Sequence, residues 1–267
     1  MAIATHNRRK AEPAEGQPSA AGGRLAWSLG SLAALLVLWQ VSAYLIASRV
    51  FPSPLEVLAT LHIELQSGAL VRHVSATLAR VVVSFVLAML IGSAIGLLLG
   101  RVKAADRFFD SWLIFFLNLP ALVIIILCYV WFGLTEVAAI TAVAINKIPN
   151  VAVTVREGAR SLSRDLAEMA VVYRFGFWKT LRHVTLPQMA PFFAASARSG
   201  LSLVWKIVLV VELLGRSNGV GHQLHVAFQL FDVPMIIAYA VAFIIVVQII
   251  ELGLLQPLEA RANRWRR

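Results

Sequence analysis

The chain has 267 residues, of which 59% are hydrophobic and only 14% are charged, whereas soluble domains sit near about 45–50% apolar and about 25% charged. With a mean hydropathy of +0.78, this composition excludes an ordinary soluble domain and predicts an all-α integral membrane protein. The net charge of +10 resembles that of a nucleic-acid binder, but the basic residues crowd into a few short loops, the pattern that orients a membrane protein, so no nucleic-acid partner is expected.

Residues 1–24 are rich in Ala, Pro, Gly and polar side chains, with Arg8, Arg9 and Lys10 in a row. They cannot bury a core and are expected to form a disordered cytoplasmic tail. The apolar run at 25–47 is roughly twice the length of a signal-peptide core, which predicts a retained anchor. A spanning helix takes about 20 mostly apolar residues. Six runs meet that length, at roughly 25–47, 77–100, 111–132, 135–155, 190–214 and 234–256. The region 25–256 is therefore expected to be one transmembrane domain of six helices, followed by a basic tail at 257–267. Cys128 is the only cysteine, which excludes an intrachain disulfide.

Six spans place both termini on one side. With that side cytoplasmic, the inner segments hold Arg8, Arg9, Lys10, Arg24, Arg101, Lys103, Arg107, Arg156, Arg160, Arg164, Arg174, Lys179, Arg182, Arg261, Arg264, Arg266 and Arg267. The outer segments hold only Arg49, Arg72 and Arg216. The positive-inside rule then sets both termini and the 156–187 loop in the cytoplasm.

In the first outer loop, "FPSPLEVL" predicts a short interfacial helix capped by Ser53, with Pro54 as its first residue and Gly68 as its stop. The second span carries Ser84, Ala88, Gly92, Gly96 and Gly100, each four apart, a stripe that lets helix backbones approach closely. In the fourth span, Asn146, Lys147 and Asn150 surround Pro149. Polar residues within spans face protein or water, so these three are candidates for a substrate pathway. The alternative is interhelical hydrogen bonding with Lys147 snorkelling, although Arg156 lies about 13 Å further along the helix. In the fifth span, Arg198, Ser202, Trp205, Leu209 and Glu212 fall within about 40° of one line, with Lys206 about 80° away. Arg198, Ser202, Lys206 and Glu212 are pathway candidates on the same ground. Arg80, near the outer end of the second span, is open equally to a pathway role and to snorkelling outward. "GRSNGVG" and "HQLHVAFQLFDVP" predict tight turns and then a short helix at the outer mouth.

No G-x-x-x-x-G-K-[ST], G-x-S-x-G or H-E-x-x-H motif is present, so neither ATP nor a metal is expected on this chain. His222 and His225 lack a third ligand.

The stretch "EMAVVYRFGFWKTLRHVTLP" (Glu168–Pro187) lies in the longest inner loop. Its Val171, Val172, Phe175, Trp178, Leu181 and Val184 alternate with charges, as short amphipathic helices broken near Gly176 would require. Such a segment suits helix-in-groove docking to a partner or an interfacial helix on anionic lipid. It resembles the EAA loop of permease subunits in ABC importers: Glu-Ala-Ala, three residues, Gly, then Leu-Pro about a dozen residues later. Glu168, Ala170, Leu186 and Pro187 match that pattern, and "RHVTLP" from Arg182 is similar to the family. "FPSPLEVL", "WFG" at Trp131–Gly133, "SGLSLVWKIVLVVELLG" at Ser199–Gly215 and the tail "LEARANRWRR" resemble its nitrate/sulfonate/taurine branch.

Counting back from Leu-Pro, Met169 stands at the first Ala and Arg174 at the Gly. Either the turn moves to Gly176 or it changes shape. The resemblance implies a bacterial inner-membrane homodimer with coupling helices between spans four and five. Glu168, Ala170, Arg174, Gly176, Arg182, Leu186 and Pro187 would couple it to two cytoplasmic ATPase subunits, which hold ATP and Mg²⁺. An extracytoplasmic binding protein would deliver the substrate. Lys147, Arg198 and Lys206 suggest that this is a small anion such as a sulfonate or a nitrate-like oxyanion. A stand-alone channel or secondary transporter is the alternative, and an intramembrane enzyme is a third possibility for which no nucleophile–base pair is found.

Overall fold

A computed structural model describes residues 20–48 and 50–257. Most of the expected N-terminal tail, and all but the first residue of the expected basic C-terminal tail, lie outside the described residues. Every regular element among the described residues is helical. The chain divides into two compact units, Met1–Leu55 and Glu56–Arg267.

The first unit holds α1 (Ala20–Ile46), which begins within the expected tail. After it, the Trp39 indole N–H donates to the Pro52 carbonyl at 3.0 Å. The next helix is α2 (Pro54–Gln66), which starts at the proline that "PSPLE" predicts.

In the second unit follow α3 (Ala69–Arg101), α4 (Lys103–Asn118), α5 (Ala121–Phe132), α6 (Glu136–Arg160), α7 (Arg164–Val172), α8 (Phe177–Thr180), a π-helical turn (Leu181–Thr185), α9 (Leu186–Gly215), α10 (Val220–Gln229) and α11 (Val233–Ile250). A second π turn (Glu251–Leu255) extends α11. By length and composition, α3, α6 and Val233–Gly253 are able to cross a membrane, and the pair α4–α5 makes a fourth when counted as one span. The apolar part of α1, Gly30–Ile46, is shorter. Helix α9 is 30 residues long and carries Arg198, Lys206 and Glu212.

The third expected span is not one straight helix, because α4 and α5 meet at 94°. Pro120 has no N–H and disfavours a helical residue before it, and Leu119 is accordingly extended (φ −67°, ψ 127°). Ion pairs hold α4 against α6. Arg156 binds Asp110 at 2.6 Å and Asp106 at 3.3 Å, and Arg160 also binds Asp106. By contrast α6 continues through Pro149 without a break.

The core is built on α3 and α6. Ser84, Ala88, Gly92 and Gly96 are all buried, and α3 packs more extensively on α6 than on any other helix. The contact is close enough that a Cβ at Gly92 would lie 2.6 Å from Val151 Cβ. Helix α9 packs on both α6 and α3. Val81, Ile125, Val143, Val204, Val208 and Tyr239 join α3, α5, α6, α9 and α11 in one apolar cluster.

Candidate coupling segment and polar sites

The segment between α6 and α9 is anchored at both ends and exposed in the middle. Ser163 caps α7 by accepting from the Leu166 N–H, while its own N–H donates to Gln188 Oε1 of α9 at 2.9 Å. Helix α7 ends in a left-handed cap. The Arg174 N–H donates to Val171 O, and the Phe175 N–H reaches back five residues to Ala170 O at 2.8 Å. This is the Schellman pattern, which needs positive φ at the first residue past the cap. That residue is Arg174, at φ 50°, while Gly176 lies at an ordinary φ of −67°. The turn has not moved to Gly176. It keeps the position where the importer pattern has Gly, and fills it with an arginine at a cost of about 1–2 kcal/mol.

Ala170, whose carbonyl anchors this cap, is 2% exposed. Glu168, Arg174 and Arg182 are on the surface. Val172 and Trp178 are each 77% exposed, and Val171, Tyr173 and Phe177 are nearly as bare. Apolar patches of this kind on a connecting segment mark an interaction surface. Lys179 Nζ sits 4.2 Å from the centre of the Phe175 ring.

Pro187 was expected at the end of the inner loop, just before the span at 190–214, but the helix starts before it. Residues from Phe177 to Gly215 form one uninterrupted helical rod, roughly 55–60 Å long at 1.5 Å per residue. A proline inside an α-helix clashes with the carbonyl four residues back. The π turn absorbs this: the Leu186 N–H bonds Leu181 O, five residues back, and the widened ring leaves room for Pro187.

The pathway candidates separate into three places. Arg198, Ser202 and Lys206 share a groove of about 680 Å³ between α9 and α11, opposite Gln248 and Glu251. Its floor is Trp205, packed edge-on against Phe243 with centroids 5.6 Å apart. Lys147 does not reach this groove. It is 1% exposed and fills the space left by Gly200, where a Cβ would meet its Cε at 2.6 Å. Asn146 and Asn150 donate to carbonyls of their own helix, Ala142 O at 2.8 Å and Asn146 O at 3.4 Å, so neither makes the interhelical bond that was the alternative.

Glu212, the fourth pathway candidate of α9, lies in a buried ion cluster that sequence reasoning missed. Arg80 does not snorkel outward: it is 4% exposed and all five of its guanidinium donors are used. Its Nε and Nη2 grip the two oxygens of Glu136 at 2.8 and 2.7 Å. Its Nη1 donates to Glu212 Oε1 at 2.6 Å and to Asn218 O at 2.9 Å, and Nη2 also bonds Asn218 Oδ1. Thr77 and the Gly221 N–H donate to Glu212 Oε2, each at 2.9 Å. Arg216 completes the cluster on Glu136 at 2.5 Å. The cluster fixes the ends of α3, α6 and α9 and the start of α10.

A sequence signal existed for this cluster. Arg80, Glu136 and Glu212 fall within or at the edge of expected spans, where each is costly alone and must find a partner. His73 extends the network by accepting the Gly219 N–H on Nδ1 at 3.0 Å. Among the described residues no group of three or more His, Cys, Asp or Glu is placed to hold a metal.

Comparison with protein families matches residues 69–255 to the "Binding-protein-dependent transport system inner membrane component". The taurine transport system permease protein of Escherichia coli is 25% identical, with 89% of each chain covered. The riboflavin transport system permease protein of Chloroflexus aurantiacus is 29% identical over 86% of this chain and 88% of that protein. Among solved structures, one titled "Crystal structure of an amino acid ABC transporter with histidines" matches with a TM-score of 0.59 at 20% identity, covering 75% of this chain and 97% of that one. This last likeness is one of fold.

Proposed function

We propose that this chain, which belongs to the family of inner membrane components of binding-protein-dependent transport systems, imports a small anion such as a sulfonate or a nitrate-like oxyanion, with α9 and α11 lining the pathway. The chain is a transport subunit of an ATP-binding-cassette importer; ATP hydrolysis belongs to a separate ATPase, and a substrate-binding protein is the other partner. In our reading two copies form a homodimer of six-span subunits with cytoplasmic termini. Two ATPase subunits, carrying ATP and Mg²⁺, dock on the coupling segments.

The observation that carries this reading is the rod from Phe177 to Gly215. A bare apolar knob stands at one end: Phe177 and Trp178 form the first turn of the rod that runs without a break to the helix presenting Arg198, Ser202 and Lys206, and Val171, Val172 and Tyr173 adjoin it across the Arg174–Gly176 turn. Force applied to the knob reaches the groove because a continuous helix transmits displacement and a flexible loop does not. In this scheme Glu168 and Arg182 contact the ATPase, and Ala170, Arg174, Gly176, Leu186 and Pro187 shape the lever. A stand-alone channel would give the exposed knob no partner.

Relatives at similar identity carry different substrates in their names, so the anion reading rests on Arg198 and Lys206. These two cations and the Ser202 hydroxyl line a half-apolar groove, which suits a compact oxyanion with a short organic body. Two pathway candidates take other parts. Lys147 is buried against Gly200, where it would reach substrate only in another conformation of the bundle, and Glu212 is held in the Arg80 cluster.

The test is transport by the permease–ATPase complex in proteoliposomes, supplied with a loaded binding protein. Lys206→Met is expected to slow uptake of a sulfonate about tenfold, the scale of one exposed charge contact strengthened by partial desolvation. An unchanged rate removes Lys206 from the pathway. Uptake that continues without the ATPase would instead favour the stand-alone transporter.

A further inference from the structure

The inner ends of α3 and of the rod enclose a cleft, bordered by Phe177 of the knob and Leu186 of the lever, to which the transport reading gives no ligand. It measures about 320 Å³ and is walled by Leu97, Leu181, Leu186, Met189 and Phe193, with Arg101 and Thr185 among its lining. Arg101 donates to Thr185 Oγ1 at 3.5 Å, so the polar pair sits together while the remaining walls are aliphatic or aromatic.

Charge pairing differs sharply around this end of the bundle. On the α4 side, Arg156 and Arg160 are neutralised by Asp106, Asp110 and Glu157. On the cleft side, among the described residues, no carboxylate lies within 4.0 Å of Arg101, Lys179 or Arg182. Lys179 and Arg182 belong to α8 and the π turn, the elements that wall the cleft. The result is an apolar slot lined by one cation without a carboxylate partner, Arg101, and walled by elements that carry two more.

We infer that this cleft binds one anionic phospholipid of the cytoplasmic leaflet, its phosphate on Arg101 and Thr185 and one acyl chain along Leu97, Leu181, Leu186, Met189 and Phe193. The chemistry is complementary on both counts. A guanidinium and a hydroxyl suit a phosphodiester, and basic pockets between helices at the cytoplasmic face take anionic head groups. A free phosphate would leave the aliphatic walls bare, and a neutral lipid would leave the cations unpaired. The bound lipid would wedge the π turn against the end of α3, so that occupancy stiffens the lever where it enters the membrane. The inference takes the cytoplasmic orientation from the transport reading. Its test needs neither ATPase activity nor uptake, so the two fail separately.

The experiment is native mass spectrometry of the full chain released from nanodiscs of phosphatidylethanolamine containing phosphatidylglycerol as the minority lipid. The expected result is one retained phosphatidylglycerol per chain, enriched over its share of the bilayer. Arg101→Gln is expected to weaken retention about fivefold, the worth of one basic residue at the lipid surface. Leu181→Trp keeps the charge but fills the slot, and is expected to lower retention as well. Both variants are first checked for wild-type elution and thermal unfolding. Equal retention by the wild type and by both variants overturns the site. Equal retention of phosphatidylethanolamine by the wild type overturns the anionic occupant. Release of the lipid on adding the partner ATPase would assign the cleft to that protein instead.

Discussion

The Arg80 cluster and the coupling segment are opposites in how they handle polarity. Around Arg80 every guanidinium donor has an acceptor, and Glu212, at 0% exposure, accepts from three donors. In the coupling segment the largest apolar side chains stand in solvent, and an arginine occupies a conformation that favours glycine. A buried network in which Arg80 and Glu212 are fully paired leaves those two groups nothing to offer a partner, and its members are held in place by one another. A bare, slightly strained surface is incomplete until something covers it. The first is the fixed frame of the bundle and the second is the part built to be moved.

The largest effect is expected at the frame. Arg80→Met leaves the Glu212 carboxylate buried without a counter-charge, a loss of about 3–5 kcal/mol. Thermal unfolding in detergent should show a collapse in stability or no folded protein. A variant with near wild-type unfolding would mean that the cluster relaxes by admitting water, and that it is not the frame.

Next comes the knob. Trp178→Ala is expected to leave unfolding unchanged, because the side chain touches solvent, yet to weaken capture of the partner ATPase about thirtyfold. That is the scale of a binding hot spot worth about 2 kcal/mol. If capture is unaffected, the contrast drawn between the two regions loses its functional half.

The smallest effect is at the turn. Arg174→Gly removes the left-handed penalty of about 1–2 kcal/mol but adds unfolded-state freedom costing about 0.5–1 kcal/mol. A net gain of about 0.5–1 kcal/mol should slow limited proteolysis of the segment about two- to fivefold. Faster cleavage would show that contacts of the arginine side chain, and not the backbone, hold the turn.

Several features were legible because they depend on local pattern. The stripe from Ser84 to Gly96 packs on α6 as its four-residue spacing implies. Pro54 starts α2 and a short helix follows "GRSNG". The break near Gly176 is real, but the register count left the turn either moved to Gly176 or changed in shape, whereas the positive φ stays at Arg174. Other features were signalled but misjudged. "NLP" at Asn118–Pro120 announces a helix end, yet the run around it is apolar enough to read as one span. Pro187 reads as a helix start because a proline is best tolerated there; the π turn that lets it lie inside the rod leaves no mark in composition. The polar stripe of α9 was found, but helical angle alone could not tell an end facing a groove from an end facing Arg80.

The order of residues by itself determined that the chain lives in lipid, which stretches are apolar enough to be helical, and where α3 can approach a neighbour. Each of these follows from side-chain volume, hydropathy and backbone freedom within a few residues. Only the tertiary structure decided that Arg80 meets Glu212, that Lys147 lies against Gly200 and away from the groove, and that the lever is continuous with α9. Those outcomes depend on which faces of distant helices come together. In an interior without water, a charge goes wherever packing has left it a partner or a space.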